Sequence, residues 1–495
     1  MKAIRKSFAV SSTFKLHLLR FQIALLALAV ALGAAETQAQ TVTIKSIRDL
    51  GTVAGDPINP RWVGLIAQGR DGNMYTTTPA GGTSGSVGTA FKITPTGKLT
   101  VLHNFNPNTK IPEGTPYSGL VLGTDGNFWG TTYNGGHSGC ANNQGCGQVF
   151  KMTPTGKVTF LYAFTGGNDG GNPLAPPIEA SNGMFYGTTQ NGGINNLGTV
   201  YQITESGSPT TMFPFDGNDG DQPFGALVQA TNGVLYGTTS SSFCGDNCGE
   251  ATIFSITTGG TFTELHAFQN FWGPIYNGLV QGYDGDLWGT ISGGGPNNCG
   301  EIFKITTKGV ESDEYDFKCG SDGANPVAGL LLGTDGNLYG VTQNGGQASL
   351  GEFFSITEKG RFTALASFNS VNGAHPTVTL IQNTNGTIYG DANQGGKTTN
   401  SGTFYEVTGL KFEKTPFVSL VLNAGKVGST VEILGQGFVA GKTTVSFNGG
   451  QPVRPTELKN TYLTVVVPNG ATSGFVTVTT PKGTLKSNRK FQVIK

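Results

Sequence analysis

Four recurring sets of residues in this chain could carry chemistry. Six cysteines come as three close pairs: Cys140 with Cys146, Cys244 with Cys248, and Cys299 with Cys319. A zinc site needs about four ligands converging on one ion, and these pairs are dispersed along the chain. Three local disulfide staples are therefore expected, with other connectivities left open. Acidic turns recur as NDGGNP from Asn168, NDGDQP from Asn218 and SDGANP from Ser321, so Asp169, Asp219 and Asp322 stand at equivalent points. Oxygen-rich loops can bind calcium, but the 216–221 stretch lacks the sixth-position Gly and terminal Glu of an EF-hand. Asx-type turns before Pro are expected there instead, and no metal.

The histidines do not assemble a nucleophile–base pair. His103 and His266 share a position that elsewhere holds Tyr162, Phe213, Tyr315, Ala366 and Arg48, and such variety marks an ordinary outer strand. His137 and His375 sit in separate loops with no Ser or Cys nucleophile signature nearby. The fourth set is aromatic. One position, compared across repeats, reads Trp62, Tyr117, Leu174, Phe224, Tyr276, Val327 and Thr377. Trp62, Tyr117, Phe224 and Tyr276 would ring a channel entrance and could stack on a sugar or other flat-faced ligand. The competing reading is that they are wedges packed between neighbouring units.

What must position these residues is an internal repeat. A turn followed by an aromatic recurs as DGNMYT from Asp71, DGNFWG from Asp125, NGMFYG from Asn182, NGVLYG from Asn232, DGDLWG from Asp284, DGNLYG from Asp335 and NGTIYG from Asn385. The aromatics fall at Tyr75, Trp129, Tyr186, Tyr236, Trp288, Tyr339 and Tyr389, at spacings of 54, 57, 50, 52, 51 and 50 residues. That period with strand-like segments predicts propeller blades of four strands, here named a to d. The 78 glycines and the lack of 3.6-residue patterning exclude a helical solenoid. In the second repeat the expected strands are 119–123, 128–132, 148–153 and 157–164, with Asp125-Gly126 as a hairpin turn. The seventh repeat stops after strand c, and 41–50 matches the strand-d pattern. The N-terminal strand is therefore expected to complete the last blade and remove an exposed edge.

Residues 1–39 read as a secretory signal: a basic start with Lys2, Arg5, Lys6, Lys15 and Arg20, an apolar run over 21–35, and a small-residue cleavage site before Gln40. The apolar run is shorter than the ~20 residues that span a bilayer. Beyond it stand 26 basic and 30 acidic residues, a net of −4. The balance is uneven: 40–410 carries −12 and 411–495 carries +8. An exported protein with a basic tail is expected to meet acidic wall polymer, or its own acidic half, rather than nucleic acid. Within 411–495, alternating runs at 430–434, 443–447, 462–467 and 474–480 predict a small antiparallel sandwich.

Two resemblances follow from these residues. The YGTT box (Tyr186, Gly187, Thr188, Thr189, and again from Tyr236), with the strand after it and a terminal L-x-x-F, resembles the bacterial GloVer tandem repeat. The first repeat departs from it, with Thr76 where others carry Gly. The tail is similar to an IPT/TIG immunoglobulin-like domain, through G-x-x-V-x-I-x-G-x-x-F over 428–438, V-x-F-N-G over 445–449 and V-P-x-G-A-T-S-G over 467–474. The resemblances imply exported proteins with varied anchoring ends, and they imply no catalytic residues.

The expected molecule is thus all-β: a signal at 1–39, a seven-bladed β-propeller over 40–410 and an immunoglobulin-like sandwich over 411–495. Its long b–c and d–a loops share one face, and function is expected there. The leading expectation is a secreted or surface-displayed monomer, possible also in a periplasm, that binds a polysaccharide or a surface protein without a cofactor. The rival is an extracellular lyase or glycosidase with carboxylates on that face.

Overall fold

The repeat unit is built around its turn. In the second repeat, Asn127 N–H donates to Asp125 Oδ1 at 2.9 Å and Gly126 adopts φ +78°, a conformation that favours glycine. Where the aromatic four positions on is Tyr, the same turn residue explains the fixed spacing. Tyr75 and Tyr339 hydroxyls donate to Asp71 and Asp335 at 2.8 Å, while Asn182 and Asn232 donate to the Tyr186 and Tyr236 hydroxyls at 2.7 Å. A buried phenol needs a partner, and the turn supplies it.

The structure is a computed structural model that describes residues 41–61, 64–137, 140, 144–240, 251–268 and 274–494. The segment expected to be a signal, Trp62, Cys244 and Cys248 lie outside the described residues. Residues 42–408 and 412–494 belong to one compact unit.

Among the described residues the chain is all-β, and each repeat yields a four-stranded antiparallel sheet. The second repeat runs Val121–Leu122, Phe128–Thr132, Gln148–Met152 and Val158–Ala163 in strand order a-b-c-d. Strand a is shorter than expected, because Gly119 turns at φ +67° to bridge Leu65 of the preceding repeat. Seven such sheets are present among the described residues, each with an irregularity between strands c and d. In the seventh, strand d comes from the start of the described chain. Thr43–Asp49 pairs antiparallel with Thr403–Thr408, Thr43 opposite Thr408 and Asp49 opposite Thr403.

The sheets pack face to face through their aromatics. Tyr75 stacks on Phe128 of the next sheet at 4.0 Å, and Trp129 on Phe185 at 3.7 Å. The glycine after the aromatic has a steric cause: a Cβ at Gly130, Gly237 or Gly289 would stand 2.5, 2.4 or 2.3 Å from the ring of Phe150, Phe254 or Phe303. Thr76, the exception, uses its hydroxyl to reach the Leu65 carbonyl at 2.9 Å.

Beyond residue 418 lie two further four-stranded sheets. One joins Ser419–Leu420, Thr430–Leu434, Tyr462–Val466 and Glu457–Leu458; the other joins Ala424–Lys426, Gly483–Ile494, Gly474–Thr480 and Thr444–Phe447. Val431, Ile433, Val445, Phe447, Val476 and Phe491 share one buried cluster between them.

Candidate functional site

Two devices join neighbouring repeats, and between them they define the two faces of the molecule. On the loop face, the first Thr of the YGTT box donates across the seam. Thr77 reaches the Pro116 carbonyl at 2.9 Å, Thr238 that of Asn277 at 3.0 Å, and Thr290 that of Pro326 at 3.1 Å. On the turn face, a Gln or Glu ending strand a accepts from the turn backbone of the preceding repeat. Glu179 accepts from Thr124 N–H at 2.7 Å, Gln229 from Ser181 at 2.8 Å, Gln281 from Thr231 at 2.9 Å, and Gln382 from Thr334 at 3.0 Å. Gln68 does the same for Thr384 at 2.8 Å, which joins the seventh repeat to the first.

Two seams lack this Gln or Glu. Leu122 and Leu332 take its place, and the turn residues facing them are Arg70 and Tyr283 rather than Ser or Thr. These two residues hold the C-terminal sheets. Arg70 Nε donates to Glu432 at 2.8 Å, its guanidinium lies 4.9 Å from the Tyr462 ring, and it also reaches the Thr124 carbonyl at 3.0 Å. The Tyr283 hydroxyl donates to the Asn488 carbonyl at 2.8 Å, and Lys490 donates to the Tyr283 carbonyl at 3.1 Å. Repeat-by-repeat comparison of that column carried the signal, which motif reading passed over.

The loop face holds a pocket of about 470 Å³ lined by residues including Arg61, Tyr276, Gln343, His375, Asn393 and Gln394. Val327 and Thr377, from the same column as the expected aromatic ring, line it too. His375 Nδ1 lies 3.0 Å from the Gln343 carbonyl, which can only accept. Nδ1 therefore carries the proton and Nε2 is left for a ligand. No hydrogen bond ties the Arg61, Gln343 or Gln394 side chains to a described residue. They can serve a ligand rich in hydroxyls or carboxylates.

The expected aromatic ring divides. Phe224 is buried at 5% exposure against Leu174, and its ring meets Tyr276 edge-on at 5.4 Å. Tyr117 is half-buried and meets Tyr133 edge-on at 5.8 Å. Of the three described, only Tyr276 lines the pocket. The acidic turns are anchored internally: Asp169 accepts from the Tyr162 hydroxyl and Thr165 N–H at 2.8 Å, and Asp322 from Tyr315 at 2.8 Å. Asp219 accepts from Asp216 N–H at 2.9 Å. His103 is half-buried and pairs with Glu113 at 3.0 Å.

Several acids are pushed towards neutrality by burial. Glu301 rises to about 8 with Asp313 and Asp316 nearby, Glu352 to about 7, and Asp391 to about 8. Glu301 and Glu352 open strand c at the outer part of their sheets, and Asp391 is fully buried at the seam position where five other repeats carry Thr. None lines the loop-face pocket among the described residues.

Disulfides join Cys140 to Cys146 and Cys299 to Cys319, with Cα atoms 4.9 and 5.4 Å apart. Such bonds persist outside the reducing cytosol, which fits an exported protein. No helix among the described residues is long and apolar enough to cross a membrane.

The repeat matches the Gloeobacter/Verrucomicrobia repeat over residues 61–276, 140–312 and 242–450, most of the chain. The chain belongs to this family. No curated protein matches this Gloeobacter/Verrucomicrobia repeat protein in sequence. Among solved structures it is similar to the extracellular domain of a hybrid two component system from B. thetaiotaomicron, at 11% identity and a TM-score of 0.47. It is also similar to PorZ, a surface component of the type-IX secretion system of Porphyromonas gingivalis, at 15% identity and 0.46. The match covers 92% and 90% of this Gloeobacter/Verrucomicrobia repeat chain, which spans only 57% and 61% of those two proteins. A GH74 enzyme of Niastella koreensis matches at 14% identity and 0.44, over 88% of this chain and 72% of its own.

Proposed function

We propose that this chain is an exported seven-bladed β-propeller, closed by the strand at 41–50, whose loop face binds a polysaccharide. Residues 1–39 act as the signal, and 411–495 form an IPT/TIG-like sandwich seated on the turn face. The carrying observation is the loop-face pocket, which combines the half-buried ring of Tyr276 with the untied donors Arg61, Gln343 and Gln394. An aromatic face with several amide and guanidinium groups suits the alternating apolar faces and hydroxyls of a sugar. Tyr117 and Phe224 brace the rim. The rival lyase or glycosidase reading has less support, because the acids with raised pKa stand away from this pocket.

A glycan array and a polysaccharide-degradation assay on the same preparation test the reading. Binding to at least one glycan class is expected, with a loss of at least tenfold in Tyr276→Ala and no shortening of the polymer. Undiminished binding in the variant overturns the site, and polymer cleavage would favour the enzyme.

A further inference from the structure

The short first strands of the repeats surround a central cavity of about 320 Å³, closed on the turn side by residues of the C-terminal sheets. Its wall is mostly aliphatic, with Leu65, Val121, Leu227, Leu279 and Leu330 contributed by different repeats. Leu420 and Val421 form part of the closure. Among the described residues one cation lines the cavity, Arg489.

Arg489 also lines a second, smaller cleft beside Tyr283, Asp284 and Lys490, so it stands where the cleft meets the cavity. Its position is enforced by its neighbours. The Asn488 carbonyl and the Lys490 ammonium both bond Tyr283, which pins the chain on either side of Arg489. Yet the guanidinium itself makes no hydrogen bond or ion pair with a described residue. The acid that lines the cavity and the one that lines the cleft are both engaged elsewhere: Glu179 accepts from Thr124 N–H at 2.7 Å and from its hydroxyl at 2.6 Å, and Asp284 accepts from Asp286 N–H at 3.1 Å. Although Arg489 is exposed to cavity and cleft, the protein around it holds its pKa below the usual arginine range. A guanidinium without a protein partner has five donors to offer an anion.

We infer that the central cavity is a binding site for a small amphipathic carboxylate, its head on Arg489 and its aliphatic part along the leucine and valine wall. The carboxylate would accept a two-pronged bond from the guanidinium. Asn423 also lines the cavity and can offer its side-chain amide for a further contact. This site is separate from the loop-face pocket and does not depend on the polysaccharide reading.

Isothermal titration of the purified full-length protein with octanoate, and separately with 1-octanol, tests the inference. Octanoate is expected to bind at least tenfold more tightly than the alcohol. Arg489→Gln should lower octanoate affinity at least tenfold with little change in melting temperature, and Arg489→Lys should retain part of it. Absence of octanoate binding, equal binding of octanol, or an unchanged affinity in Arg489→Gln overturns the site. Complete competition by inorganic sulfate at equal concentration would overturn the amphipathic part, because it would leave the wall without a role. Should Arg489→Gln fail to fold, the wild-type preference and Arg489→Lys still decide the matter.

Discussion

At the residue scale, Asp391 is the clearest departure from the repeat pattern. Its strand position carries Val341 in the sixth repeat and a Thr in the other five, and here both carboxyl oxygens are buried without a hydrogen-bond partner among the described residues. Burial lifts its pKa to about 8. The folded protein therefore holds a proton that the unfolded chain releases from about pH 4. The penalty is absent below that pH, grows as pH rises to about 8, and is constant above. Asp391→Asn should leave stability unchanged at pH 4. It should raise stability progressively towards pH 8, by at most about 1.4 kcal/mol per pH unit. Urea unfolding of both proteins at pH 4, 6 and 8 reads this, and parallel curves at all three would refute it. The turn residues, by contrast, were legible in the sequence. Asp or Asn four positions before a Tyr recurs too regularly to be accidental, and the bond between them accounts for it.

At the scale of elements, the two leucine-substituted seams decide where the C-terminal sheets sit. Glu432 is 3% exposed and Arg70 is its ion partner, yet burial still keeps the Glu432 carboxyl above its ordinary range. The pair thus offsets its own desolvation rather than adding much net stability, but breaking it leaves a buried charge alone. Arg70→Ala is expected to cost about 3 kcal/mol, with most of the loss recovered by adding Glu432→Gln. Differential scanning calorimetry of the single and double variants checks this. An Arg70→Ala protein that melts like the wild type would show that the pair anchors nothing. The strands at 430–434 and 474–480 were readable because apolar residues alternate there. Gly483–Ile494 was not, since a run of polar residues covers its exposed half and Ser487 takes one inward place. The basic tail was expected to face either a wall polymer or the acidic repeats. The Arg70–Glu432 contact has the opposite polarity to that simple picture, with the acid on the tail and the base on the repeats.

At the scale of the whole molecule, the pairing of Thr43–Asp49 with Thr403–Thr408 links residues more than 350 positions apart. Such a closure adds a whole strand of backbone bonds to the last sheet and covers the edge of Thr403–Thr408. A chain lacking 41–50 should lose cooperative thermal unfolding or aggregate, and an unaltered melting curve would sink the closure. The disulfides act more locally, since each spans a short stretch of chain within one repeat or at its edge.

The sequence by itself determined the repeat, its turns and the order of its strands, because hairpin chemistry and period-2 alternation act over a few residues. It also pointed to the N-terminal strand, since a missing strand d and a spare one are both visible in the text of the chain. Only the tertiary structure decided which residues of the aromatic column face a pocket and which brace it, because residues of one column differ in what the neighbouring loops lay over them. Likewise it alone brought Arg489 into a cavity built from all seven repeats. Side chains from such distant positions share a site only when the whole set of sheets has closed around it, and no local rule of spacing carries that information.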